Sequence, residues 1–208
     1  MPTISIITVV LDGTHQHITE TYDSLRAQKL PEGWAWQWVV QEDGETGRPL
    51  AALPDDPHVA PGMGPRGRAA VARTLALNRA DGVLARALDA DDVLTGGALA
   101  RDIETLTEHP ELGWCVSPVL NVSPDGQQSE SRQDSEMGSE PLPHDYFLDA
   151  SKRTDLLHLP GTTLCTYTHL VRTLGGWPAL PANDDVALLL AVEAVSDGWM
   201  LSESALGR

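Results

Sequence analysis

The stretch of sequence that decides the fold is Val83-Leu84-Ala85-Arg86-Ala87-Leu88-Asp89-Ala90-Asp91-Asp92. Its first six residues are mostly apolar and predict a short, buried strand. Three carboxylates follow directly. Because like charges repel, such a group at a strand end favours a bound cation, and Mg²⁺ or Mn²⁺ would take oxygen ligands. The simpler alternative is a solvated acidic turn in which Asp92 caps the next helix.

Strands and helices alternate around this stretch. The β-branched run Ile4–Leu11 is typical of a strand buried on both faces. Ile18, Tyr22 and Leu25 recur at helical spacing. Further elements are predicted at Trp34–Val40 (strand), Arg68–Asn78 (helix), Gly97–Glu108 (helix) and Gly113–Val122 (strand). This alternation predicts an α/β fold with a parallel sheet and helices on both faces.

The remaining segments are less regular. Residues 45–67 are rich in turn formers, and residues 123–145 have almost no large apolar side chain, so both are predicted to be loops. Apolar content returns at Tyr146–Leu159, Thr162–Leu174 and a helix over Val186–Val195. In parallel sheets, ligands bind at the carboxyl ends of the strands. We therefore expect the carboxylates that follow the first, second and Val83–Leu88 strands to share one edge.

Composition narrows the class of protein. The chain has 208 residues, 41% of them hydrophobic, which is enough for the core of one compact domain. Its formal net charge is −16, with 14 basic and 30 acidic residues. We expect no nucleic-acid partner, because a protein that binds nucleic acid carries a basic face that neutralises phosphates. The same deficit of basic residues argues against docking on anionic membranes.

The cysteines and the N-terminus bear on the compartment. Cys115 and Cys165 lie in apolar stretches and are predicted to be reduced and buried. No apolar run reaches the roughly 18 residues of a membrane span, and the N-terminus lacks a basic region and cleavage site. A cytoplasmic protein without integral membrane contact is the expectation.

Five segments stand in a fixed order along nearly the whole chain: Ile4–Asp12, Val39–Gly44, Ala72-Arg73-Thr74, Leu88–Asp92, and Gly175-Gly176-Trp177 followed by Asn183-Asp184-Asp185. Together they resemble family 2 glycosyltransferases with the GT-A fold. In that family the corresponding segments are the opening strand, the second strand, Ala-Arg-Asn, the DXD motif and the late Gly-Gly-Phe … Glu-Asp segment. The resemblance implies a Rossmann-like βαβ three-layer sandwich, with residues 1–120 binding a nucleotide-sugar and residues 121–208 binding the acceptor.

The resemblance also implies a role for each matching residue. On the donor side, Val10 and Asp12 would lie beside the base and ribose, Asp43 would hydrogen-bond the base, Arg73 would lie near the diphosphate or orient the acidic cluster, and Asp89 and Ala90 would contact the nucleotide. Asp91, with Asp89 in the metal shell, would ligate Mn²⁺ or Mg²⁺. On the acceptor side, Asp185 would be the general base and Asp184 would position the acceptor. The adjacent pair could instead be the ordinary acidic start of a helix.

The implied activity is transfer of a single sugar, with inversion, from a nucleotide-diphospho-sugar to an unidentified hydroxyl acceptor. UDP, GDP and dTDP donors all remain open. A bound cation would stabilise the charge that develops on the leaving diphosphate. A carboxylate would take the proton of the acceptor hydroxyl. The chain has no Gln-x-x-Arg-Trp motif, which favours a non-processive enzyme.

The chain departs from the family pattern in three places. Thr74 stands where Asn is usual, Gln41-Glu42 replaces Val-Asp, and no His follows His169, so a third metal ligand is not identified. Trp177 could be an acceptor-side platform or a core residue. Two other functions are alternatives. One is a non-catalytic binding module with a degenerate transferase fold. The other is a haloacid-dehalogenase-like phosphatase that uses Asp89 in an Asp-x-Asp-x-Val loop, with Lys152 and Asp184-Asp185 in later motifs.

Overall fold

A computed structural model describes residues 1–13, 15–122, 128–130, 139–153 and 161–207. Its strands are β1 (Thr3–Val10), β2 (Ala35–Asp43), β3 (Val59–Gly64), β4 (Leu84–Ala87), β5 (Val93–Leu94), β6 (Trp114–Val116), β7 (Val119–Val122), β8 (Gln128–Glu130), β9 (Glu140–Leu142), β10 (Cys165–Tyr167), β11 (Gly198–Met200) and β12 (Leu206–Gly207). Its α-helices are α1 (Ile18–Arg26), α2 (Arg68–Leu77), α3 (Ala98–Glu108), α4 (Tyr146–Arg153), α5 (Thr168–Thr173) and α6 (Asp184–Glu193). Short 3-10 turns lie at His15–His17, Leu50–Ala52 and Gly161–Thr163.

The main sheet has eight strands in the order β3-β2-β1-β4-β10-β6-β11-β9. Strands β3, β2, β1 and β4 are parallel neighbours, and β6 is parallel to β11. Strand β10 runs antiparallel between β4 and β6, and β9 is an antiparallel edge strand beside β11. The sheet is therefore mostly parallel, as the sequence predicted.

Helices cover both faces of this sheet. Along β1, Ile4 and Ile6 belong to the core on one face, with the apolar sides of α1 and α3. Ile7 points to the other face, where α2, α5 and α6 pack. Both sets of side chains are buried, which explains the nearly continuous apolar run of β1. The arrangement is the GT-A-like α/β fold in three layers, as expected.

The sequence predictions for β3 and for the pair β6 and β7 are wrong. The passage 45–67 contains an edge strand, β3, which its proline and glycine disguised. The single strand predicted at Gly113–Val122 is two strands, β6 and β7, in different sheets. Pro118 lacks the amide hydrogen that a continuous ladder needs, and the Ser117 amide donates to the Thr163 hydroxyl instead (3.0 Å).

A second sheet contains β5, β12, β7 and β8 in that order. Strands β8 and β9 fall within the passage 123–145 that was predicted to be a loop. The rest of that prediction, at 123–127 and 131–138, lies outside the described residues. No helix in the described part of the chain is long and apolar enough to cross a membrane.

The predicted core residues are buried. Cys115 and Cys165 are free and fully buried, and they face each other on β6 and β10. Trp38 is fully buried, stacks on Tyr22 with ring centroids 5.7 Å apart and donates its indole N–H to Thr8 (2.9 Å). The Trp38 side chain therefore packs in the core.

Candidate active site

A cavity of about 410 Å³ lies at the carboxyl ends of β1 and β4. Asp89, Ala90 and Asp91 line it, and Arg73 of α2 contributes to the same wall. Parallel pairing of β1 with β4 explains this meeting, because Ile7 lies opposite Ala87 and the loops that follow both strands emerge at one edge. Four of the residues predicted for the site are thus brought together.

The end of β1 alternates between the core and the cavity. Val10 is buried in the core at 1% exposure, whereas its neighbours Val9 and Leu11 line the cavity. Asp12 is exposed and forms an ion pair with Arg48 (3.1 Å). The side chain of Val10 therefore does not face the cavity, because successive side chains of a strand point to opposite faces.

The acidic loop after β4 is held by a helix residue that sequence reasoning missed. The hydroxyl of Thr21 lies 2.9 Å from the carbonyl oxygen of Ala90 and 3.0 Å from that of Asp92. Thr21 is fully buried, and it fixes the loop backbone so that Asp91 is exposed at the cavity. Asp92 does not cap the next helix, which begins at Ala98 after Gly97.

Arg73 connects the two groups of predicted carboxylates. Its Nη2 donates to Asp89 Oδ1 and its Nη1 donates to Asp184 Oδ2, each at 2.6 Å. Burial alone would lower the pKa of Arg73, but the two carboxylates outweigh it and raise the pKa. Arg73 is therefore a permanent cation that orients the acidic cluster.

Asp184 and Asp185 begin helix α6, after Asn183 in a left-handed conformation (φ 59°). Asp184 is buried against Arg73, whereas Asp185 is half-exposed. The turn Gly161–Thr163 packs directly on this helix start: a Cβ at position 161 would lie 2.7 Å from the carbonyl carbon of Asp185. Only glycine allows this approach, which places the turn beside Asp185.

The Asp43 carboxylate binds backbone amides. It accepts hydrogen bonds from the amides of Gly67 (2.6 Å) and Arg68 (3.1 Å), at the start of α2. This contact ties the end of β2 to the helix that carries Arg73. The predicted hydrogen bond from Asp43 to a nucleotide base stays a prediction, and the observed contact gives the residue a structural role in addition.

Glu42 shapes the loop after β2. Its buried carboxylate accepts hydrogen bonds from the amide (2.8 Å) and hydroxyl (2.7 Å) of Thr46 and from the amide of Gly47 (2.8 Å). Burial would raise the pKa of Glu42, but the hydrogen bonds from Thr46 and Gly47 hold it below its usual value. The ordered loop brings Arg48 to Asp12. Sequence reasoning treated Glu42 only as a departure from the family pattern.

Thr74 anchors the glycine-rich turn before α6. The amide of Trp177 donates to the Thr74 hydroxyl (3.0 Å), and Gly176, with φ 87°, lies so close that a Cβ there would be 2.6 Å from that hydroxyl. Trp177 is 6% exposed and packs in the core. Of the two alternatives for Trp177, the core residue is therefore observed, and the acceptor-side platform is not.

Asp89 and Asp91 are suitable donors for a hard divalent cation. Among the described residues, no group of three His, Cys, Asp or Glu side chains is placed to hold a metal ion. Two carboxylates beside a cavity of this size nevertheless fit Mg²⁺ or Mn²⁺, which often use one or two carboxylates together with substrate phosphates. The donor set fits a cation that enters with a phosphorylated ligand.

The residues of the phosphatase alternative are only partly brought together: Asp184 shares Arg73 with Asp89, but Lys152 does not reach them. Lys152 is exposed on α4 and pairs with Asp149 of the same helix (3.1 Å). It does not line the cavity that contains Asp89. The carboxylate of Asp89 is instead bound by Arg73.

The fold is similar to that of known structures. No family model matches the chain, and no curated protein matches it. Solved structures do match. Residues 1–349 of S. aureus TarS in complex with UDP-GlcNAc align with a TM-score of 0.76 and 18% identity over 100% of this chain and 58% of that chain. The same protein segment in complex with UDP aligns with a TM-score of 0.75 and 17% identity, covering 60% of that chain.

A longer structure of S. aureus TarS aligns with a TM-score of 0.74 and 19% identity over 100% of this chain and 36% of that chain. The chain therefore spans about 58% of the length of the TarS segment that was crystallised with UDP-GlcNAc. At these identities the likeness concerns the fold, and it agrees with the GT-A-like arrangement of sheet and helices described above.

Proposed function

We propose that the chain is a glycosyltransferase that moves one sugar from a UDP-sugar to an acceptor hydroxyl, with inversion and with Mn²⁺ or Mg²⁺. The observation that carries the proposal is the Arg73 bridge, which holds Asp89 and Asp184 at one edge of the sheet. The fold shared with the UDP and UDP-GlcNAc complexes of S. aureus TarS supports a UDP-type donor.

In this proposal the cavity beside Asp89 and Asp91 takes the nucleotide diphosphate. A bound cation would supply Lewis-acid stabilisation of the leaving diphosphate. Asp91 is the exposed member of the pair, while Asp89 is oriented by Arg73. The two carboxylates would repel a diphosphate that arrived alone, so donor binding should require the cation.

Asp185 is the proposed general base. It is half-exposed, and the turn Gly161–Thr163 packs beside it, whereas Asp184 is occupied by Arg73. The Asp185 carboxylate would take the acceptor hydroxyl proton as the oxygen attacks the anomeric carbon and the bond to the diphosphate oxygen breaks. A single displacement of this kind inverts the anomeric centre.

Thermal unfolding with a panel of nucleotides tests the proposal. The Tm of the protein would be measured with UDP, GDP, dTDP and UDP-GlcNAc, each with and without Mn²⁺. We expect UDP with Mn²⁺ to raise the Tm, and Asp91→Ala to abolish the rise. Asp55→Ala, which changes an exposed carboxylate outside the cavity, is the matched control and should respond like the wild type.

Two results would contradict the proposal. If no nucleotide raises the Tm, the chain does not bind a nucleotide donor. The second result combines binding with a lack of turnover. If UDP and UDP-GlcNAc bind with Mn²⁺, but incubation with UDP-GlcNAc and cell extracts as a source of acceptors yields neither a glycosylated product nor free UDP, the non-catalytic binding module is favoured.

A further inference from the structure

The cavity has an unusual balance of charge. Among its lining residues in the described part of the chain, Arg73, Asp89 and Asp91 are charged at neutral pH. The single positive charge of Arg73 is offset by Asp89 and by Asp184, each 2.6 Å away. Little of the positive charge of Arg73 is therefore left to attract a diphosphate, whose own charge is about −2 to −3.

His17 is the other residue lining this cavity that can become a cation. It ends the 3-10 turn His15–His17, directly before α1, and its side chain is 46% exposed. Its Nδ1 lies 3.3 Å from Glu20 Oε2, and its Nε2 lies 3.2 Å from Nε2 of the Gln16 side-chain amide. Nδ1–H can donate to Glu20 while Nε2 accepts from Gln16.

These contacts orient the ring without burying it. Both hydrogen bonds are long, and Gln16 also lines the cavity. A small rotation of the exposed Gln16 amide would release Nε2, which when protonated is a donor of charge-assisted hydrogen bonds to phosphate oxygens.

We propose that His17 binds the diphosphate of the donor, with Gln16 as the neighbour that orients its ring. The inference rests on the proposed function and extends it, because it assigns the phosphate contact to the loop after β1 and limits Arg73 to positioning the carboxylates.

Calorimetric titration with uridine, UMP and UDP, each with Mn²⁺, tests the assignment on the full chain. In His17→Gln, UDP should bind about tenfold more weakly, because a charge-assisted hydrogen bond is lost, while uridine should bind as to the wild type. His17→Lys should recover most of the UDP affinity. His169→Gln, which changes an exposed histidine of α5 outside the cavity, is the control and should bind all three like the wild type.

The outcomes separate this inference from the proposed function. Equal affinity of wild type and His17→Gln for UDP overturns the His17 contact and leaves the proposed function standing. A parallel loss of uridine and UDP binding, or no rescue by lysine, also overturns it, since the residue would then only support the loop. If the wild type binds none of the three ligands, the proposed function fails, and the inference fails with it.

Discussion

Arg73 and Asp184, whose Nη1 and Oδ2 atoms lie 2.6 Å apart, join the middle of α2 to the first residue of α6. The other terminal nitrogen of Arg73 binds Asp89, after β4. Helix α2, the acidic loop and helix α6 are thus held by one guanidinium. Because Arg73 and Asp184 are both buried, their pairing is sensitive to the loss of either partner.

Replacement of Arg73 by methionine should destabilise the protein by about 3 kcal/mol, because it leaves the buried Asp184 carboxylate without its partner. Urea denaturation measures the effect. The double variant Arg73→Met/Asp184→Asn should be less destabilised than the sum of the single variants. Strictly additive losses would show that the two side chains do not interact.

The two adjacent carboxylates of α6 should differ in their effects. Asp185→Asn should lower kcat for the UDP-sugar by a factor of about 10² to 10⁴ with little change in stability, as expected of a general base that is half-exposed. Asp184→Asn should lower the unfolding free energy, because it weakens the pair with Arg73. Steady-state kinetics and urea denaturation of both variants measure the two effects. If Asp184→Asn lowered kcat and Asp185→Asn lowered the stability, the two residues would exchange their proposed roles.

Acid should weaken the contact between α1 and the loop before β3. The hydrogen bond from the Tyr22 hydroxyl, together with those from His58, lowers the pKa of Asp56 to about 2. An unfolded Asp titrates near about 3.9. The stability that Asp56 contributes is therefore present above about pH 4 and is lost as the pH falls through about 2.

Denaturation of the wild type and of Asp56→Asn at pH 6 and pH 2.5 measures this contribution. We expect the wild type to lose more stability than the variant between the two pH values, because the variant has no carboxylate to protonate. Tyr22→Phe should also reduce the difference, since it removes the largest cause of the lowered pKa. Equal losses in all three proteins would refute the assignment.

Thr74→Val should lower the stability by about 1 kcal/mol, because the Trp177 amide would lose its hydrogen-bond acceptor. Thr74→Ser retains the hydroxyl and is the matched control. Thermal unfolding of both variants checks the prediction. An equal decrease in both would mean that the methyl group, rather than the hydrogen bond, stabilises the glycine-rich turn.

The two thiols should be inert in the native protein. Cys115 and Cys165 are fully buried, and the hydrogen bond with Cys165 and the burial raise the pKa of Cys115. A thiol reagent should label neither cysteine in buffer and both in denaturant, as counted by mass spectrometry. Rapid labelling of the native protein would contradict their burial.

The local pattern of the sequence predicted those parts of the fold that depend on it. The runs Ile4–Leu11 and Val83–Leu88 predicted β1 and β4, because strands buried on both faces need apolar side chains at successive positions. The placement of Asp89, Ala90 and Asp91 at the edge of a parallel sheet followed from the same reasoning. The strand β3 was missed because Pro61 and Gly62 imitate a turn, although an edge strand tolerates both.

By itself, the sequence determined the α/β class, the strand ends that carry carboxylates and the excess of negative charge. Only the tertiary structure decided which of those carboxylates meet. Asp89 and Asp184 are far apart in the chain, and their contact with Arg73 depends on how α2 and α6 pack on one face of the sheet. The same packing buried Trp177, and pairing of β1 with β4 brought His17 and Asp91 to one cavity. Side-chain periodicity is a local property, whereas such contacts depend on how distant elements pack together.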